Sequence, residues 1–183
     1  MTERRPARTP AAEALAALAE LLAPGRAAVV DEVLFAYDDP DAYVRTHAER
    51  LEDRGIDAPI ENLAWIALVD ALTAQGLLAE VDWKEGSDEI SHRLRGLESR
   101  PTVDPWSHAG ADGTDAAPPD MDTAAFLNDA GRLHLKVGVA LAVLDIESDC
   151  YPLVCFPAER AGELTPLAAR AGFYAAVLGS DQL

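Results

Sequence analysis

The stretch VGVALAVLDIESDCYPLVCF, Val137 to Phe156, limits what this chain can fold into more than any other. Its first run places Val139, Leu141, Val143 and Asp145 on one side of an extended chain and Ala140, Ala142, Leu144 and Ile146 on the other. Side chains in a strand alternate between its faces, so both faces here are apolar up to the last carboxylate, and both must be covered. The second run, Tyr151 to Phe156, follows Glu147, Ser148, Asp149 and Cys150, a spacing that predicts an antiparallel hairpin. Pro152 has no N–H to give to a ladder, which predicts a sheet edge or a position at the start of the strand. Asp145 shares a row with three aliphatic side chains. It is therefore expected to be at least half buried and held by Tyr151, Arg160 or Lys84, because an unpaired buried carboxylate is costly.

The remainder reads mostly as helix. Thr9-Pro10 opens a first helix with Leu15, Leu18 and Leu22 on one stripe, ended by Pro24-Gly25. Val29, Val33 and Tyr37 mark a second. Asp38-Asp39-Pro40-Asp41 is a helix boundary, since carboxylates accept from the free N–H groups of a helix start. A third helix carries Val44, His47, Ala48 and Leu51 inward as far as Gly55. Pro59 to Gln75 is the most apolar helix, with Trp65, Leu68, Val69 and Leu72 at helical spacing and Gly76 as its stop. Leu77 to Trp83 reads as a strand. Ser87 starts a helix burying Ile90, Leu94 and Leu97, and Asp122 or Thr123 caps one burying Phe126, Ala130 and Leu133. Past the hairpin, Pro157 opens a helical segment with Ala161, Leu164, Ala168 and Ala171 in register. Pro166 kinks it or restarts it with Thr165 as cap, and Phe173 to Leu178 is a candidate last strand. The fold class that follows is α+β, a helical N-terminal half packed on a small antiparallel sheet with a C-terminal hairpin and helix. Residues 1–183 form one domain on this reading, since about 100 to 200 residues is the usual domain size. The segment 99–120, with six Pro and Gly, is a surface loop, with Trp106 tucked back onto the core.

Charge narrows the function classes. The chain has 32 Asp plus Glu against 15 Lys plus Arg, a formal net charge of -17. Nucleic acid and anionic membrane surfaces need a basic face, and no Lys/Arg cluster supplies one, so neither is expected as a partner. Net repulsion that favours solubility accounts for much of such a bias. The sharper reading is an acidic face that docks a basic protein. Oligomeric state is not readable. Glu13 and Glu20 break the N-terminal Ala/Leu run, so it reads as an amphipathic helix rather than a signal peptide. Cys150 and Cys155 have no metal-site spacing and do not face one another, so reduced thiols and a cytoplasmic location are expected.

The acidic turn is the best candidate site: Asp145, Glu147, Ser148, Asp149 and Tyr151 are the binding candidates. Several oxygens within one turn suit a hard cation, although acidic and hydroxyl turn residues ordinarily bond their own backbone, and no metal ligand set is assigned. His47 on an apolar stripe suits a general base or, more commonly, a hydrogen-bonded core histidine. His92, His108 and His134 lack a zinc spacing. Carboxylates beside Cys150 disfavour its thiolate. No phosphate-binding glycine loop, nucleophile elbow or HExxH is present, and no cofactor is expected.

The segment LDIESDCYPLVCFPAERAGELTPLAARAGF, Leu144 to Phe173, together with Val81-Asp82-Trp83-Lys84-Glu85, resembles a family of small uncharacterised bacterial proteins known by a domain-of-unknown-function label. The resemblance implies a helical N-terminal half and a hairpin near the end, and no catalytic residue carries over from it. Function is thus read as a non-enzymatic, immunity-like accessory or binding protein that docks a protein partner. The alternative is an enzyme or divalent-metal-binding protein centred on Asp145, Glu147 and Asp149.

Overall fold

The computed structural model describes residues 8–107 and 122–180. The described residues form an α+β fold with eight α-helices and one four-stranded antiparallel sheet. In chain order come α1 (Pro10–Leu22), α2 (Ala27–Asp38), α3 (Pro40–Thr46), α4 (Ala48–Glu52), α5 (Leu63–Ala74), β1 (Leu78–Asp82), α6 (Ser87–Gly96), α7 (Thr123–Lys136), β2 (Val139–Leu144), β3 (Cys150–Pro157), α8 (Ala161–Ala171) and β4 (Ala175–Val177). The strand order is β1-β3-β2-β4. The hairpin therefore supplies both inner strands, with Ala142 opposite Val154 and Leu141 opposite Cys155.

Being central, the hairpin is covered on both faces, as its two apolar rows require. Ala140, Ala142, Leu144, Val154 and Phe156 join a core with α1, α2, α5 and α8. Leu141, Leu153 and Cys155 join a second core with Val81 and the inward residues of α6 and α7. Of the two positions expected for Pro152, the edge is overturned, since β3 is an inner strand, and the start of the strand holds, since Pro152 is its third residue. It lies opposite Glu80 of β1. On the β2 side the ladder stops at Val143 and Leu153, one residue short of it, so the missing N–H removes no bond in that ladder.

Local signals explain several helix ends. Thr9 and Asp39 accept from the N–H groups of Ala12 and Ala42, and Asp122 rather than Thr123 caps α7 through Ala125. At the end of α5, Leu77 N–H reaches the Leu72 carbonyl and Gly76 N–H that of Thr73, with Gly76 at φ 65; this is the paired closure that a left-handed residue permits. Helix α5 is buried around its whole circumference from Leu63 to Leu72, so packing rather than amphipathic pattern sets it. It starts at Leu63, not Pro59; Ile60 is exposed in the turn before it.

Other expectations are corrected. The third helix breaks at His47 into α3 and α4, where the Thr46 hydroxyl donates to the Ala42 carbonyl, a back-bond that bends helices. Its inward residues are Tyr43, Val44 and Leu51; Ala48 is exposed, and half-buried His47 packs on the Tyr43 ring at 4.4 Å. On α7, His134 is buried where Leu133 was expected. Helix α8 runs on through Pro166 rather than restarting there, and the Thr165 hydroxyl donates to the Ala175 carbonyl instead of capping. Trp83 lies beyond β1 and is exposed. Of the segment 99–120, residues 108–120 lie outside the described residues, while Trp106 packs against the second core. Gly131 on α7 is required by close approach: a Cβ there would lie 2.3 Å from the Leu178 carbonyl oxygen. No described helix is long and apolar enough to cross a membrane.

Candidate functional site

At one end of the sheet, the turn after β2, the start of α5 and the loop from α8 to β4 enclose a cleft of about 430 Å³. Glu61, Asn62, Asp145, Glu147, Phe173 and Tyr174 line it, with Trp65 behind them. Trp65 organises these three segments. It is fully buried on the third residue of α5, its indole N–H donates to the Asp145 carbonyl at 2.7 Å, and its ring stacks on Phe173 at 4.9 Å between centroids and 10° between planes. The Asp145 N–H donates in turn to the Tyr174 carbonyl, which extends the β2–β4 ladder by one residue. Left-handed Gly172 (φ 90) closes α8 and turns the chain so that Phe173 reaches Trp65.

Asp145 itself does not follow the expectation drawn from its strand row. The strand ends at Leu144, and the Asp145 side chain is exposed, accepting at 2.8 Å from the Glu147 N–H within its own turn. None of Tyr151, Arg160 and Lys84 forms a hydrogen bond or ion pair with it. Glu147 is held at φ 58, the one positive φ among the described non-glycine residues. The left-handed conformation costs a side chain with a Cβ about 1–2 kcal/mol, so the Asp145 turn holds Glu147 where glycine would be favoured.

The five candidate residues are thus divided. Asp145 and Glu147 line the cleft; Ser148, Asp149 and Tyr151 do not. The Ser148 hydroxyl accepts from the Cys150 N–H, the backbone of Asp149 continues the β1 ladder through Trp83, and Tyr151 packs against the second core. Glu61, Asn62, Phe173 and Tyr174 were not expected at a site. No three His, Cys, Asp or Glu side chains among the described residues stand close enough to share a metal ion, so the acidic turn has no ligand set there. No lining residue is basic, and none is a His, Cys or Ser. What the cleft offers is carboxylate acceptors beside aromatic rings, one of them Tyr174 at 53% exposure, an arrangement that attracts a cation electrostatically.

A second ionic group lies elsewhere. Asp70 is 6% exposed on apolar α5, and Arg54 holds it with two nitrogens at 2.6 and 2.9 Å while also pairing with Glu80 of β1. Arg50 lies 3.3 Å from Asp70 and pairs with Glu32 of α2 and the Tyr43 hydroxyl. Burial raises the Asp70 pKa, and the arginines act against it. Burial also works against the charged form of Arg54, yet hydrogen bonds to Glu80 and Asp70 raise its pKa overall. With each charge paired, this group ties α2, α4, α5 and β1 together. Neither thiol is activated: burial pushes Cys155 up to about 12, and burial followed by Glu80, Asp82 and Asp149 raises Cys150.

The profile of one family, described as Domain of unknown function (DUF6630), matches residues 14–178. The chain belongs to the DUF6630 family. That match runs from within α1 through β4, and so both the Trp65-centred cleft and the Asp70 group lie within the DUF6630 unit. No curated protein and no solved structure matches this DUF6630 chain.

Proposed function

We propose that this protein is a non-enzymatic binding or accessory protein of the immunity kind, which docks a basic protein partner by taking one of its guanidinium or ammonium groups into the Trp65-backed cleft. The observation that carries this reading is a cleft with three carboxylates, two accessible aromatic side chains and no basic side chain in its wall. A net charge of -17 adds long-range attraction for a basic surface. The bound cation would displace little, because the Asp145 and Glu147 oxygens already face solvent and the turn that presents them is formed in the free protein. Cytoplasm is the compartment proposed, supported by the two unpaired cysteines.

The experiment is a binding isotherm with a fluorescent Arg-rich peptide at low and at raised salt, alongside a Glu-rich control. The expected result is saturable binding of the Arg-rich peptide that weakens as salt screens the attraction, and that Glu147→Gln weakens about tenfold, the equivalent of losing one charge-assisted hydrogen bond. Equal binding by wild type and Glu147→Gln would remove the cleft from the account. No salt dependence would remove the acidic docking reading itself.

A further inference from the structure

Beside the acidic cleft stands an apolar border. Among the described residues, the large hydrophobic side chains that stand exposed are Ile60, Trp83, Val103 and Tyr174. Exposed apolar side chains scattered singly are ordinary, but two of these four border one cleft: Tyr174 is in its wall, and Ile60 directly precedes Glu61 of that wall. Both are held by formed backbone. The Ile60 carbonyl accepts from the Leu63 N–H at 3.1 Å in the turn that leads into α5, and the Tyr174 carbonyl from the Asp145 N–H at 3.0 Å. A partner covering them therefore orders little of this chain. Every residue from Asp57 to Glu61 is exposed, so Ala58 and Pro59 lie open beside Ile60.

The cleft, at about 430 Å³, lies within the roughly 300–1,000 Å³ typical of ligand sites, and a single guanidinium group fills only part of it. Water screens a cation that pairs with Glu61, Asp145 and Glu147 in the open. Apolar side chains closing over it exclude that water and strengthen the attraction, the arrangement that surrounds the hot spots of protein interfaces. Ile60 and Tyr174 offer such side chains a surface on two separate segments, the approach to α5 and the loop from α8 to β4. Two copies of this chain would each bring a charge of -17, so the surface suits a basic partner and not a second copy.

We propose that cleft and border form one docking surface for a segment of a basic protein in which an arginine is flanked by large apolar side chains. This rests on the reading of the cleft as a cation site and adds to it the neighbours that the cation must have. The guanidinium enters among the three carboxylates, the flanking side chains cover Ile60 and Tyr174, and water is excluded between them.

The test titrates the 15N-labelled full chain with N-acetyl-Leu-Arg-Leu-amide, with N-acetyl-Gly-Arg-Gly-amide lacking the apolar flanks and N-acetyl-Leu-Gly-Leu-amide lacking the cation. The Leu-Arg-Leu probe should move the backbone signals of Ile60, Glu61, Glu147 and Tyr174 along one saturable curve. It should bind about tenfold more tightly than Gly-Arg-Gly, the gain from partial burial of one large aliphatic side chain. Leu-Gly-Leu should bind at least about tenfold more weakly than Leu-Arg-Leu. Ile60→Ser alters an exposed side chain and should bring Leu-Arg-Leu down to within about twofold of Gly-Arg-Gly. Saturable binding of both arginine probes with equal affinity overturns the docking surface and leaves the cation site standing. No saturable movement with either arginine probe overturns both. Equal affinity for Leu-Gly-Leu and Leu-Arg-Leu, or an Ile60→Ser variant that binds Leu-Arg-Leu as wild type does, overturns the proposal as well.

Discussion

Replacing Trp65 by Phe separates the parts of the interaction on which the cleft depends. The Phe ring still stacks on Phe173, but the N–H that reaches the Asp145 carbonyl at 2.7 Å is lost. A net hydrogen bond of this kind contributes about 0.5–1.5 kcal/mol, and a carbonyl left dry costs toward the upper end. Trp65 is fully buried, so the space vacated by the smaller ring adds a packing loss of about 1 kcal/mol, well under the 3–5 kcal/mol of truncation to Ala. The sum is about 2 kcal/mol. In a urea titration this should appear as a lower midpoint with an unchanged slope, and in a thermal melt as a fall of about 4–8 °C for a chain of this size. Cation binding at the cleft should weaken as well, because the Asp145 turn is no longer pinned. A loss below about 0.5 kcal/mol, within the range of ordinary surface substitutions, would refute the idea that Trp65 anchors the turn.

Glu147→Gly should raise stability by up to about 1 kcal/mol, since glycine accepts φ 58 without strain, while weakening the Arg-rich peptide; a loss of stability in urea would contradict the strain. Asp70→Ala strands Arg54 and Arg50, and because those side chains are 21% and 34% exposed the cost should be about 2–4 kcal/mol rather than the full value for a buried pair, read as a urea midpoint. His134 has a lowered pKa in the folded chain and the ordinary value near 6.5 when unfolded, so the unfolded chain binds more protons between the two. Stability should therefore fall as pH drops through about 6.5, and His134→Phe should flatten that part of a pH series of urea midpoints.

Much of the architecture was legible because it follows from local rules. The alternation from Val139 to Leu144 indicated a strand covered on both faces, and Thr9, Asp39 and Gly76 act at the helix ends where their chemistry places them. The site was legible only in part. The period-two row that predicted a buried Asp145 was correct through Val143, but the strand ends one residue before the carboxylate. Pro152 is compatible with either an edge strand or the start of a strand, and the choice depends on pairing across the chain: nothing local to it shows that the β2 ladder stops at Leu153. The stripe containing Trp65 showed that the ring is buried, while the partner of its N–H lies 80 residues away. Asp70 did leave a signal, a lone carboxylate in LAWIALVDALTA, and Arg50 and Arg54 were available in the preceding helical segment to pair with it.

The central claim is that the Trp65-backed cleft receives a cationic group, and N-acetyl-arginine methylamide is the smallest probe that tests it. Titrated into 15N-labelled protein, it should move the Trp65 indole signal and the backbone signals of Asp145, Glu147 and Tyr174 along one saturable curve. The same titration of the Asp145→Asn, Glu147→Gln double variant should show binding at least about tenfold weaker. Signals at the cleft that remain still, or that move equally in wild type and the double variant, would contradict the account.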